Sequence, residues 1–158
     1  MEDSTGTLER LGDLAAHELV QEHNAIVREQ VQAHGGHEVE LRGDGFLLAF
    51  ASARQAVVCA IALQRAFLAH SSDNPERAIR IRIGLHTGET IKDADKFFGK
   101  SVVQAFRVAD LAQGGEILLS SLTRDLVASA GDLAMDEGRD VELKGFEGTH
   151  RVFAVRWE

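Results

Sequence analysis

The stretch Val39-Glu-Leu-Arg-Gly-Asp-Gly-Phe-Leu-Leu-Ala-Phe50 sets a lone acid, Asp44, between two glycines, with an alternating run before it and a solid apolar run after it. Val39 and Leu41 alternate with Glu38, Glu40 and Arg42, the pattern of a half-buried strand, and residues 46–50 fit a return strand covered on both faces. Gly43 and Gly45 supply the backbone freedom of a tight turn, so the stretch predicts a hairpin with Asp44 at its tip. Two readings of Asp44 stand at this point. It is a turn residue bonded to its own backbone, or a carboxylate held where a ligand can approach closely.

On either side of the hairpin the chain alternates helical and strand periods. Gly12-Asp13 offers an N-cap, and Leu14, Leu19, Ile26, Val27 and Val31 follow at helical spacing until His34-Gly-Gly. Ser52 caps a second helix whose Ala56, Val57, Ala60, Leu63, Gln64 and Phe67 recur on adjacent turns, ending near Pro75, the only proline. Ile79, Ile81, Ile83 and Leu85 alternate with Arg80, Arg82, Gly84 and His86, which predicts a strand, with Gly88 opening its exit loop. A polar loop, residues 92–96, precedes Phe97-Phe-Gly99 and a third helix from Lys100 to about Ala112, closed by Gly114-Gly115. Residues 116–120 read as a strand, 121–128 as a short helix, and 141–145 and 151–155 as a closing pair of strands. Helices interspersed with hairpin-connected strands predict an α+β architecture, with helices packed on one face of a sheet.

Size and charge narrow the function. With 158 residues, 44% of them hydrophobic, the chain can bury one core and is expected to form one domain, residues 1–158. Twenty-five acids against 17 bases leave a net charge of −8, so a broad grip on a nucleic-acid backbone is not expected. No apolar run reaches the roughly 20 residues of a membrane span, and residues 1–10 lack a secretory pattern, so the expectation is a cytoplasmic protein with no membrane partner. Cys59, the only cysteine, lies in an apolar run and reads as a small core residue. The seven histidines show no helical i, i+4 pair of the zinc type, and none is assigned to a metal.

Six segments, in order, carry a resemblance. They are Glu9-Arg-Leu-Gly-Asp13, the hairpin from His34 to Phe46, Ala53-Arg-Gln-Ala-Val57, Ile81-Arg-Ile-Gly-Leu-His-Thr-Gly-Glu89, Phe98-Gly-Lys-Ser-Val-Val-Gln-Ala-Phe-Arg107 and Val141-Glu-Leu-Lys-Gly145. Together they resemble the class III nucleotidyl cyclase catalytic domain over nearly the whole chain. The resemblance implies a ferredoxin-like βαββαβ sheet, and attack of a ribose 3′-hydroxyl on the α-phosphate of ATP or GTP with loss of pyrophosphate. It implies two Mg²⁺ or Mn²⁺ ions held by a pair of aspartates on adjacent strands. Asp44 matches the second aspartate, which tilts the hairpin-tip acid toward a metal ligand. The first would fall just before Met1, on a central strand also expected to be absent; Asp3 aligns two residues beyond it. Ser4 and Thr5 match residues that give backbone amides to the phosphates.

The resemblance also distributes the remaining roles. Glu40 occupies the base-reading position and leans toward guanine; its other reading is the polar side of a strand. Lys96 occupies the companion position and matches neither base type. Val103 stands where an Asn would orient the ribose, Arg107 keeps the Arg that stabilises charge on the α-phosphate, and Phe106 replaces a small residue before it. Lys144 resembles the lysine that contacts terminal phosphates. The family builds its site between two antiparallel domains, so a homodimer, or a heterodimer with an intact partner, is implied. Two expectations follow: a cyclase domain, catalytically impaired for this chain, or a non-catalytic module that binds a nucleotide or a partner.

Overall fold

The computed structural model describes residues 1–2, 4–93 and 96–158, with the backbone alone for residues 4, 5, 7, 8, 92, 93 and 96–98. The chain opens with helix α1 (Ser4–Leu11) and α2 (Asp13–Ala33), followed by strands β1 (His37–Arg42) and β2 (Gly45–Ala49) and helix α3 (Ala53–Asp73). A short 3₁₀ turn (Pro75–Arg77) leads to β3 (Ile83–Leu85), β4 (Ile91–Asp93), β5 (Lys96–Phe98) and α4 (Lys100–Leu111). The last elements are β6 (Ile117–Ser120), α5 (Ser121–Ala128), β7 (Arg139–Glu142) and β8 (Thr149–Ala154).

The hairpin, the long helices and the closing strand pair form where the periodicity predicts them. Ser52 Oγ accepts from the Gln55 amide at 3.3 Å and caps α3, while Gly12 rather than an acid stands at the N-cap of α2. Three elements differ from expectation. Helix α1 occupies residues to which the sequence pattern assigns no element. The run from Ile79 narrows to the three residues of β3, and the polar loop at 92–96 is framed by the antiparallel hairpin β4–β5, with Ala94 and Asp95 outside the described residues.

The main sheet runs β3-β6-β8-β7, with β3 and β6 parallel and the other pairs antiparallel. Strand β6 is buried along its whole length, because both of its faces are covered. Ile117 and Leu119 pack with Val57 and Ala60 of α3, whereas Leu118 packs with Val108 and Ala112 at α4. The α+β architecture holds, and its helices are divided: α3 covers one face of the sheet and α4 the other. A second apolar cluster joins Leu19, Val27 and Val31 of α2 to Cys59, Leu63 and Phe67 of α3. Within it burial pushes the Cys59 thiol up to about 11, as expected of a packed, unreactive cysteine. Gln64 is buried yet satisfied, donating from Nε2 to the carbonyls of Ile81 (3.1 Å) and Glu116 (3.3 Å), and so ties α3 to the starts of β3 and β6.

Hairpin β1–β2 is not laddered to this sheet. Among the described residues, β2 pairs only with β1 and β3 only with β6, so one edge of each looks into a cleft of about 490 Å³ between them. At one end the Glu2 amide donates to the Arg80 carbonyl at 2.8 Å, which lays the first residues of the chain against the β3 side.

Candidate functional site

The hairpin tip is built as the glycines require. Gly43 has φ 58°, a left-handed conformation costly for residues with a Cβ, and this turns the chain so that Asp44 stands between β1 and β2. The Asp44 carboxylate is 32% exposed, and its Oδ2 lies 3.5 Å from the ammonium of Met1. Both residues line the cleft, together with Phe46, Ile83 and His86. His23 of α2, which the sequence reading set aside, lines it too. Its ring is 3% exposed and packs 5.3 Å from Phe67 and 5.9 Å from Phe46. Burial holds its pKa below the ordinary histidine value, against a hydrogen bond to Asn24 and the Asp44 charge, which favour the proton.

A second group gathers where β1, β5 and α4 converge. Arg42 Nε donates to Glu40 Oε1 at 2.9 Å, and the Arg42 guanidinium lies over the Phe106 ring, 5.3 Å from its centroid. One residue on, Arg107 donates from Nε to the Lys144 carbonyl at 3.1 Å, and Asp110 stands 3.6 Å from its Nη1. The Arg107 side chain is one-third exposed. Val103, one helical turn before it, is 44% exposed and brings no hydrogen-bonding group to that surface. Lys144 sits in the turn just past β7 rather than at a strand end, its side chain exposed. Lys96 opens β5, beside β1, and Ser4 and Thr5 open α1; only the backbone is described at these three. Asp3 lies outside the described residues.

Of the residues singled out in the sequence, the fold thus brings Arg107 to the Lys144 backbone, places Glu40 on the neighbouring strand, and leaves Asp44 on the cleft side of the hairpin. Arg42 is an addition, and it is the partner of Phe106, which the sequence marked only as bulk before Arg107. The alternation that puts Arg42 on the same strand face as Glu40 was visible in the sequence; its contact with a helix some 60 residues on was not.

Mg²⁺ takes one or two protein carboxylates together with phosphate oxygens and water. Asp44 fits one carboxylate of such a set. No group of three His, Cys, Asp or Glu side chains able to hold a metal occurs among the described residues, so these residues alone do not fit a two-cation site. No described helix is long and apolar enough to cross a membrane.

Residues 2–156 match the family model of the adenylate and guanylate cyclase catalytic domain. An uncharacterised protein of Mycobacterium tuberculosis is 42% identical over 103 residues, 64% of this chain and 33% of that protein. A putative adenylate cyclase of Rhizobium meliloti is 34% identical over 123 residues, 77% of this chain and 21% of that protein. The chain therefore spans about a third or less of the length of these curated relatives. Among solved structures, an adenylate cyclase of Trypanosoma brucei in its monomeric state superposes with a TM-score of 0.85 at 21% identity, covering 98% of this chain and 85% of that one. The match along almost the whole chain, with the fold to go with it, makes this protein a member of the adenylate and guanylate cyclase catalytic domain family.

Proposed function

We propose that the chain is a cyclase-homology domain that binds a nucleoside triphosphate in cytoplasmic signalling, acts as a two-fold pair, and turns its substrate over poorly. The observation that carries this reading is the face of α4. There Arg107 is held by the Lys144 carbonyl with guanidinium hydrogens to spare, while the residue one turn before it is Val103. A fixed guanidinium stabilises charge developing on a phosphoryl group. A valine cannot orient a ribose hydroxyl, so binding is retained and in-line attack loses its alignment.

Asp44 and Arg107 serve different substrates of the pair. Asp44 offers one carboxylate to a divalent cation, Mg²⁺ or Mn²⁺, carried in by the triphosphate. Arg107 and the exposed Lys144 meet the phosphates of a nucleotide held by the second copy, or by an intact partner domain. These cations matter because the protein as a whole is acidic, at −8, and would otherwise repel a triphosphate. Base reading falls to the positions of Glu40 and Lys96, and phosphate contact to the backbone amides at Ser4 and Thr5.

The test is calorimetric binding of ATP and GTP with Mn²⁺, run beside an assay for cyclic nucleotide. The expected result is binding that weakens on the order of tenfold or more in Arg107→Ala, with little or no product. Robust turnover abolished by Asp44→Ala overturns impairment and leaves an active cyclase; the absence of nucleotide binding overturns the reading altogether.

A further inference from the structure

Three hydroxyls and a ring nitrogen form a chain behind the exit of β3. His86 Nδ1 lies 2.8 Å from Ser120 Oγ, Ser120 Oγ lies 3.1 Å from Thr123 Oγ1, and Thr123 Oγ1 lies 3.0 Å from Thr87 Oγ1. The two middle members are buried, Ser120 at 5% and Thr123 at 1% exposure, so their hydroxyl hydrogens must find acceptors within the chain. Ser120 also caps α5, accepting from the Thr123 amide at 3.5 Å. The two ends of the chain, His86 and Thr87, both line the cleft. Among the described residues the His86 ring is hydrogen-bonded through Nδ1 alone, which leaves Nε2 to the cleft.

Each hydroxyl carries one hydrogen, so these positions admit two arrangements. In the first, Thr87 donates to Thr123, Thr123 to Ser120 and Ser120 to Nδ1; the ring then carries its hydrogen on Nε2. In the second, every donor is reversed: Nδ1–H donates to Ser120, Ser120 to Thr123 and Thr123 to Thr87, whose own hydrogen turns to the cleft. Nε2 then presents a lone pair. Passing from the first to the second moves one proton along each link. One proton enters at Thr87 from solvent, one leaves Nε2 to solvent, and no group is left charged. We propose that His86, Ser120, Thr123 and Thr87 form a proton relay with both ends on the cleft, which lets the His86 ring change tautomer in place. The ring meets a hydrogen-bond acceptor in one state and a donor or a cation in the other, with no heavy atom displaced. The relay does not depend on which ligand the cleft takes.

Thr123 is the link that can be cut without touching the cleft. In Thr123→Val, Ser120 has only Nδ1 left to donate to, so the ring is locked with its hydrogen on Nε2; Thr87→Val closes the far end and acts in the same direction. NMR of the full chain carrying ¹⁵N-labelled histidine tests this at about pH 8, where imidazoles are neutral. The His86 signals are identified by their loss in His86→Gln. The unsubstituted protein is expected to show ring-nitrogen shifts averaged between the two tautomers. Both valine variants should show the separated shifts of the Nε2–H form alone, and Thr123→Ser should restore the averaged pattern. Protonating the ring puts hydrogens on both nitrogens and requires the second arrangement, so the His86 titration midpoint should fall by about one pH unit in Thr123→Val. Asp44, Arg82, Asp110, His23 and the Met1 ammonium on the cleft, and the Arg124–Asp125 pair on α5, are the same in every variant, so their influence cancels in the comparison. Circular dichroism establishes that the variants fold, and Thr87→Val, at a half-buried loop residue, carries the test if the buried Thr123 site rejects valine. A single tautomer in the unsubstituted protein, or averaged shifts that persist in the folded valine variants, would overturn the relay.

Discussion

His23 sits under the hairpin between Phe46 and Phe67, and its burial makes the neutral ring the favoured form in the folded state. The Asp44 carboxylate favours the proton and the Met1 ammonium opposes it, both as smaller influences than desolvation. A base whose pKa is lowered on folding binds fewer protons in the native state than in the unfolded one. Stability is therefore full above the unfolded value, about 6.5, and declines as pH falls through it toward the lower native value. One such proton contributes a slope of at most about 1.4 kcal/mol per pH unit. Denaturant unfolding between pH 7.5 and 5 should show stability falling with acidity, and His23→Phe should flatten that dependence. It will not abolish it, because His86, bonded through Nδ1 to Ser120 Oγ at 2.8 Å and half-buried, is also held below its ordinary pKa by desolvation. An unchanged slope in His23→Phe would show that the ring is hydrated rather than dry.

Helix α4 shows what an element gains from a single residue on the strand beneath it. Gly84 faces α4 from β3, and a Cβ added there would lie 2.2 Å from the Ala109 amide nitrogen and 2.5 Å from its Cα. These are backbone atoms of a helix that also packs on β6 through Val108, so they cannot yield locally. Gly84→Ala should cost about 3 kcal/mol or more, read as a lowered denaturation midpoint, and it should also loosen the face that carries Arg107. The run Ile79 to Leu85 announced a strand because its branched residues alternate, and the hairpin at 39–50 announced itself by the same period and its glycines. Helix α1 was not legible, since its polar residues carry no strong apolar stripe. Nor was hairpin β4–β5, whose short strands are flagged by neither glycine nor alternation. The division of helices between two faces was hidden in β6: three consecutive apolar residues, Ile117 to Leu119, reveal burial on both sides but not which helix covers each. Arg107 and Asp44 were legible as site positions through the resemblance, whereas Arg42 needed the fold, because only the fold puts Phe106 under it.

Across the whole molecule, backbone bonding is unevenly shared. Strands β3, β6, β8 and β7 form one continuous ladder, with β6 sealed between α3 and α4. Hairpin β1–β2, like β4–β5, is laddered only to itself among the described strands, and it reaches the rest of the protein through side chains and the residues that line the cleft beside β3. Such a unit can open without breaking the main sheet, and units of this kind exchange their amides at a lower free energy than the global one. Native-state hydrogen exchange should then find two tiers. Amides of Leu118, Leu119 and Phe153, bonded within the main sheet and covered by side chains, should exchange only through global unfolding. The β1–β2 amides should exchange through a smaller opening that depends little on denaturant, because little surface is exposed. The hairpin carries Glu40 and Asp44, so two of the proposed ligand contacts lie on a part that can open with the main sheet intact. GTP with Mn²⁺ should slow exchange there selectively, while β6 and β8 stay as they were. Hairpin amides protected to the same free energy as those of β6 without any ligand would show that the two parts unfold as one unit, and would remove the mechanical separation from which this expectation is drawn.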